Sequence, residues 1–120
     1  MPSPSPMQAK PLDPPAVKAM LSDGRELALI DLREKSEREK HGMIPGSLHA
    51  PYPDLQSNVR PGGMLHELAA ATGKRILFYC AFGERSAMAV QAAQDAGLAS
   101  ACHLQGGIDA WKKVQGPLAH

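Results

Sequence analysis

The sequence predicts one α/β domain of three layers, a mostly parallel central sheet flanked by helices on both faces. Three observations predict it. Short apolar runs alternate with stretches of helical period along the ordered part of the chain, the order that builds parallel strands joined by crossover helices. Two of those runs, Leu27-Ala28-Leu29-Ile30-Asp31-Leu32 and Arg75-Ile76-Leu77-Phe78-Tyr79, are nearly continuous rather than alternating, as expected of strands covered on both sides. At 120 residues the chain has room for one core and not for a second domain.

Each element has a local reason. Residues 1–11 are rich in Pro and Ser and are expected to form a flexible lead-in, with the domain over residues 12–120. Asp13 can cap a helix that Pro14 opens and that carries Val17, Met20 and Leu21 on one face, before Asp23-Gly24 ends it. Leu27 to Leu32 is the first strand. Glu34 to His41 is so highly charged that it reads as a short solvated helix with a few i,i+4 pairs. Gly42 to Ser47 is a turn, and Leu48-His49-Ala50 a short strand stopped by Pro51 and Pro53. From Asp54 to Gly62 no period is evident.

Met64, Leu65, Leu68 and Ala69 mark the apolar face of a helix ending at Gly73. Arg75 to Tyr79 is the central strand, followed by a loop and an Ala-rich helix over residues 86–94. Gly97-Leu98 suits a left-handed helix stop with an apolar contact behind it. Ser100 to Leu104 is the last strand. Gly106-Gly107 then opens a final helix carrying Ile108, Ala110, Trp111 and Val114, which Gly116-Pro117 ends.

Composition narrows the function. Hydrophobic residues at 43% and charged residues at 21% describe an ordinary soluble globular protein. A net charge of +1 without a basic cluster argues against nucleic acid or an anionic membrane as partner. No apolar run approaches the roughly 18 to 20 residues of a membrane span. The N-terminal stretch has neither the basic nor the apolar segment of a secretory signal. Cys80 and Cys102 are too few for a disulfide framework, and a reducing cytoplasm is the expected compartment.

The chemistry concentrates in Cys80-Ala81-Phe82-Gly83-Glu84-Arg85-Ser86. This loop joins the end of a buried strand to the first turn of a helix, where unpaired backbone N–H groups and the positive end of the helix dipole collect. In an open parallel sheet that is also where ligands bind. Negative charge on a sulfur there is stabilised, which makes Cys80 the expected nucleophile. Cys102, inside a strand, reads as a buried small hydrophobe, with a disulfide to Cys80 left open. His41, His49, His66, His103 and His120 have no metal-ligand spacing among themselves or with the cysteines. His49 and His103 fall near strand ends, within possible reach of Cys80. Packing or surface roles are favoured there over a Cys–His hydrolase pair.

Assembled in order, these residues resemble the single-domain rhodaneses, a family of sulfurtransferases. Leu29-Ile30-Asp31-Leu32-Arg33-Glu34 with Ile44-Pro45-Gly46-Ser47 is similar to the family's first signature. Phe78-Tyr79-Cys80 through Arg85-Ser86 is similar to its active-site loop, and Leu104 to Trp111 with Gly116-Pro117 to its closing signature. The resemblance implies that Cys80 takes the outer sulfur of a donor such as thiosulfate, becomes a persulfide, and passes that sulfur to cyanide or a thiol. It implies that Ala81, Phe82, Gly83, Glu84, Arg85 and Ser86 hold the substrate, backbone N–H groups ringing the sulfur, and that no metal or organic cofactor is needed. A protein is an alternative sulfur donor or acceptor, which would make the domain a sulfur carrier.

Four residues separate Cys80 from Arg85, whereas cysteine phosphatases of similar fold place five there to admit a phosphate. This makes phosphatase or arsenate reductase the lesser alternative. Two departures stand out. Met43 replaces the family's usual His before Ile-Pro-Gly. Phe82 and Glu84 leave Arg85 as the loop's one cation, few charges for a thiosulfate dianion. Arg85 can shape the loop or meet an anionic donor. Asp31 and Arg33 read as structural hydrogen-bonding partners, Trp111 and Gly106-Gly107 as a packing anchor and a tight turn.

Overall fold

The computed structural model describes residues 11–23 and 27–120. In chain order the elements are β1 (Pro11–Leu12), α1 (Pro14–Ser22), β2 (Leu27–Asp31), α2 (Lys35–His41), β3 (Leu48–His49), a 3-10 turn (Tyr52–Asp54), α3 (Leu55–Val59), α4 (Met64–Thr72), β4 (Arg75–Tyr79), α5 (Glu84–Asp95), β5 (Cys102–Leu104) and α6 (Gly107–Lys113). The strands form one parallel sheet in the order β1-β5-β4-β2-β3. This is the α/β architecture that the alternating pattern predicts.

The near-continuous strands divide their side chains between two cores. Ile30, Leu32, Ile76, Phe78 and Cys80 point to one face, packed with Leu55, Val59, Leu65, Ala89, Val90 and Ala93 from α3, α4 and α5. Leu27, Leu29, Leu77, Tyr79, Cys102 and Leu104 point to the other, against Val17 of α1 and Ile108 and Trp111 of α6. With β4 at the centre, its carboxyl end is the best-buttressed point of the sheet.

Several local expectations hold. Asp13 caps α1 by accepting from Ala16 N at 2.9 Å, with Pro residues in the first turn. Gly97 ends α5 at φ +101°, and Leu98 N donates to Ala93 O at 2.8 Å, the six-to-one bond of a left-handed stop. Other parts differ from the sequence reading. Residues 1–10, most of the predicted lead-in, lie outside the described residues, whereas Pro11 belongs to β1, paired in register with His103. The stretch from Asp54 without evident period holds α3, whose five residues are too short to display one.

A second difference concerns α2. Lys35 and Glu39 form the expected i,i+4 pair at 3.9 Å and are mostly exposed. Glu37 and Arg38 instead turn inward. Arg38 Nε donates to Asp31 Oδ2 at 3.0 Å. Asp31 is fully buried and also accepts from Arg33 N (2.9 Å), Arg33 Nε (3.0 Å), Arg33 Nη2 (2.8 Å) and Tyr79 Oη (2.9 Å). Arg33 Nη2 reaches Gly42 O at 2.7 Å, and Ile44 N donates to Tyr79 Oη at 3.2 Å. Asp31 and Arg33 are thus the structural pair the sequence suggests, and they tie the end of β2 to α2, to the 42–47 turn and to β4. Met43 belongs to this packing too, its Sδ accepting from Arg38 Nη2.

Removing one member of a buried ion pair leaves the other charge uncompensated. Asp31→Asn is expected to cost about 3–5 kcal/mol of stability. Urea titration should show a lower midpoint with an unchanged slope, and a midpoint equal to that of the parent protein would refute the role given to Asp31.

Candidate active site

The loop after β4 is held from two sides. Gly83, at φ +111°, caps α5 in a left-handed conformation that a side chain would strain. On the opposite side, α6 brings its first turn against the loop, with Ile108 N donating to Cys80 O at 3.0 Å and Asp109 N to Ala81 O at 3.1 Å. That approach requires Gly107, at φ +66°, because a Cβ there would run into the Ala81 carbonyl and Cys80 O. The turn expected from Gly106-Gly107 is therefore what seats α6 on the cysteine loop.

Within this frame Cys80 is fully buried, its sulfur at the amino end of α5. Gly83 N donates to Sγ at 3.2 Å and Ser86 N at 3.4 Å, while Ser86 Oγ lies 3.7 Å away. Of the six loop N–H groups expected to ring the sulfur, these two are the ones bonded to it among the described residues. They carry partial positive charge at a helix start and stabilise negative charge on sulfur. Ser86 is buried, whereas Glu84 is exposed and Phe82 stands 64% exposed at the rim.

Arg85 bridges α2 and the cysteine loop, interacting with Glu37 first and with Cys80 as well. Its Nη1 and Nη2 donate to Glu37 Oε1 and Oε2, both at 3.0 Å, in a two-pronged pair with α2. The bonds from Arg85 hold the Glu37 carboxyl well below the usual range, at about 2. Glu37 is a site residue that sequence reasoning missed. Its spacing from Glu34 signals a capping box, which is present, with Glu34 N donating to Glu37 Oε1 at 2.9 Å. Nothing in that spacing points to a partner 48 positions on.

Beside the loop lies a cavity of about 260 Å³ lined by Arg33, Glu37, His41, Ala81, Phe82, Ile108, Asp109 and Lys112. Most of its charges are paired. Arg33 is matched by Asp31, which also takes Arg38, Glu37 is matched by Arg85, and Asp109 pairs with Lys113 at 3.3 Å, whereas Lys112 has no ion-pair partner among the described residues.

His103 and His49 end up in different places. His103 Nδ1 lies 3.0 Å from Ser86 Oγ, which links it to the sulfur through that hydroxyl, and burial pushes the imidazole pKa down. His49 Nε2 is bonded to Arg33 O at 2.7 Å, in the structural network. Cys102 packs in the opposite core from Cys80, and the two form no disulfide. Cys102 sits beside Leu77, three residues and about 10 Å of strand before Cys80. The open question of a disulfide is thereby closed by geometry. No group of three His, Cys, Asp or Glu residues among the described ones could hold a metal.

The depressed Glu37 carboxyl has a consequence for stability. Unfolded, this group titrates near 4.5, and folded near 2, so its contribution is complete above about pH 4.5 and disappears as pH falls through 2. Comparing melting temperatures of the parent protein and Glu37→Gln should give a constant gap above pH 5 that closes between pH 4.5 and 2. A gap independent of pH over that window would contradict the pairing.

Comparison with known proteins agrees with this geometry. The chain is 37% identical over 107 residues to the probable adenylyltransferase/sulfurtransferase MoeZ of Mycobacterium tuberculosis, covering 88% of this chain and 25% of that protein. It therefore spans about a quarter of the length of that curated relative. A solved structure from Rhodopseudomonas palustris, described as a protein of unknown function and possible tyrosine phosphatase, superposes with a TM-score of 0.82 at 32% identity. The superposition covers 92% of this chain and 84% of that one. The human single-domain sulfurtransferase TSTD1 superposes with a TM-score of 0.71 at 25% identity, over 90% and 99% of the two chains. The family model for the rhodanese-like domain matches residues 13–114, which include both helix-braced sides of the cysteine loop, and the chain belongs to that family.

Proposed function

We propose that this domain is a sulfurtransferase that carries sulfane sulfur as a persulfide on Cys80. The observation that carries the reading is the pair of N–H bonds from Gly83 and Ser86 to a buried sulfur at the start of α5. In the first step the Cys80 thiolate attacks the outer sulfur of the donor. The donor's sulfur–sulfur bond breaks, its electron pair leaves with the donor fragment, and a new S–S bond forms on Sγ. In the second step an acceptor thiolate or cyanide attacks that outer sulfur, and the bonding pair returns to Cys80. In both directions Sγ is the anion on one side of the step, and there the two N–H groups stabilise it.

The donor we favour is a thiol-bound or protein-bound persulfide, with thiosulfate a slower substitute. Arg85, the loop's one cation, is already paired with Glu37, which leaves Lys112 as the cavity-lining cation without an ion-pair partner among the described residues, little positive charge for a dianion. Exposed Phe82 and Met88, at 64% and 62%, suit contact with a larger sulfur-bearing partner. The MoeZ relative, which joins adenylyltransferase and sulfurtransferase in its name, is consistent with delivery within a larger assembly. Phosphoryl transfer is the competing reading, suggested by the Rhodopseudomonas palustris structure. The commitment of Arg85 to Glu37 and the four-residue interval between Cys80 and Arg85 weigh against it, since a phosphate needs that guanidinium for itself.

Intact-mass measurement after incubation with glutathione persulfide should show one added sulfur on the protein, reversed by a thiol reductant and absent from Cys80→Ser. No added sulfur from either that donor or thiosulfate, or undiminished transfer by Cys80→Ser, would sink the reading. Freeing Arg85 by Glu37→Gln should shift the ratio of kcat/KM for thiosulfate over glutathione persulfide about three- to tenfold towards thiosulfate. An unchanged ratio would remove the charge argument for the donor.

A further inference from the structure

Ser86 is fully buried and has more hydrogen-bonding neighbours than one hydroxyl proton can serve. Gly83 O lies 3.1 Å from its Oγ, His103 Nδ1 3.0 Å, and Cys80 Sγ 3.7 Å. A serine hydroxyl has one proton to give and two lone pairs to offer. Gly83 O can only accept. Gly83 O already accepts from Ala87 N at 3.0 Å, so if His103 carried its proton on Nε2 the hydroxyl would give its one proton to Nδ1 and none would be left for the sulfur. If the proton is on Nδ1, the hydroxyl proton is free for Gly83 O or for an anionic Sγ, a stronger acceptor than a neutral imidazole. Nδ1–H and the Cys80 thiol both donate to Oγ, and the hydroxyl donates to Gly83 O. Nε2 then accepts, and with no protein partner among the described residues it draws on the ring's remaining 6% exposure to water.

Register places these groups together. His103 pairs with Phe78 across β5 and β4, so its ring shares the sheet face of Phe78 and Cys80, beneath the first turn of α5 that carries Ser86. We propose that His103 is a positioning residue for the Cys80 sulfur, its Nδ1–H anchoring the Ser86 hydroxyl so that the hydroxyl proton can turn from Gly83 O to Sγ when the sulfur is anionic. No covalent bond to hydrogen breaks in that switch, because the hydroxyl only rotates. With a thiol or a persulfide on Cys80 the proton faces Gly83 O. With a thiolate it joins the two backbone N–H groups as a further donor. The desolvation that keeps His103 neutral favours this fixed donor role over proton storage.

This inference rests on the sulfurtransferase reading for its purpose but not for its test, which uses alkylation of Cys80 by iodoacetamide across pH. Peptide mass mapping separates Cys80 from Cys102. Among the other charged or titratable neighbours, Arg85 and Glu37 are mutually paired with the Glu37 carboxyl at about 2, and Arg33, His41, Asp109 and Lys112 stand around the neighbouring cavity.

Ser86→Ala and His103→Phe should each slow alkylation about tenfold below neutral pH and converge with the parent rate at high pH, as loss of a donor to a charged acceptor requires. The double variant should lose no more than either single one, because both remove the same donor. His103→Asn, which keeps an N–H near the Nδ1 position, should restore most of the rate. A parent-like profile for His103→Phe, or a His103→Asn profile as impaired as His103→Phe, would overturn the proposal. Nitrogen NMR of the parent protein provides a measurement independent of any variant's folding. It should show His103 as the Nδ1–H tautomer, and an Nε2–H tautomer overturns the assignment. If the alkylation pattern holds but no donor loads sulfur, the sulfurtransferase reading fails while the role of His103 stands.

Discussion

A single buried carboxylate holds the two halves of this domain to one another. Asp31 ends β2 and takes hydrogen bonds from Arg33, Arg38 and Tyr79, all within 3.0 Å. A lone carboxylate with no exposure would cost several kcal/mol in desolvation, so its donors must be in place for the chain to fold. Those donors come from three parts of the sequence. Arg33 carries the bond on to Gly42, Tyr79 carries it to the 42–47 turn, and Arg38 fixes the orientation of α2. With α2 oriented, the neighbouring Glu37 faces Arg85. The position of the cysteine loop therefore depends on a carboxylate that takes no direct part at the sulfur.

The same chain of contacts sets the electrostatics of the loop. A guanidinium free to meet substrate would place a full positive charge beside Cys80. Bound by both nitrogens to Glu37, it has most of its charge met there, and beside its remaining interaction with Cys80 the field at the sulfur comes from oriented N–H dipoles. Such dipoles act at hydrogen-bond range and discriminate where negative charge sits, whereas a full charge attracts any anion from further away. A loop of this kind suits an anion confined to one sulfur atom.

The sequence displayed the fold well because its signals were local. Near-continuous strands, the Asp13 cap and the Gly97 stop each act within a few residues. Three signatures in family order marked the loop itself. What it hid was long-range or too short to register. Glu37 reads as one more charge on a solvated helix until folding brings Arg85 to it from 48 positions away. His103 reads as a packing residue until the parallel register sets it beneath Ser86. Both β1 and α3 are shorter than the window in which a period can be counted. The Arg85 question was open for a physical reason, because a guanidinium's partner is decided by tertiary geometry and not by its neighbours in sequence.

Burial of the nucleophile adds a steric argument to the electrostatic one. Cys80 has no exposed surface, with Ala81, Gly83 and the first turn of α6 crowding its approach. A bulky electrophile has to displace that packing, which protein interiors resist. A terminal sulfur is a single slender atom, and a persulfide bond would place it about 2 Å beyond Sγ. On the proposed function, the free thiolate is thus sheltered and the loaded sulfur is the part that reaches outward to an acceptor. The rim then decides which acceptor. With Phe82 projecting there and Arg85 already paired with Glu37, the proposed recognition rests on apolar contact and shape more than on attraction of an anion. On the proposed function, the pairing of Arg85 that disfavours thiosulfate is also what would suit the domain to take sulfur from, or hand it to, another protein.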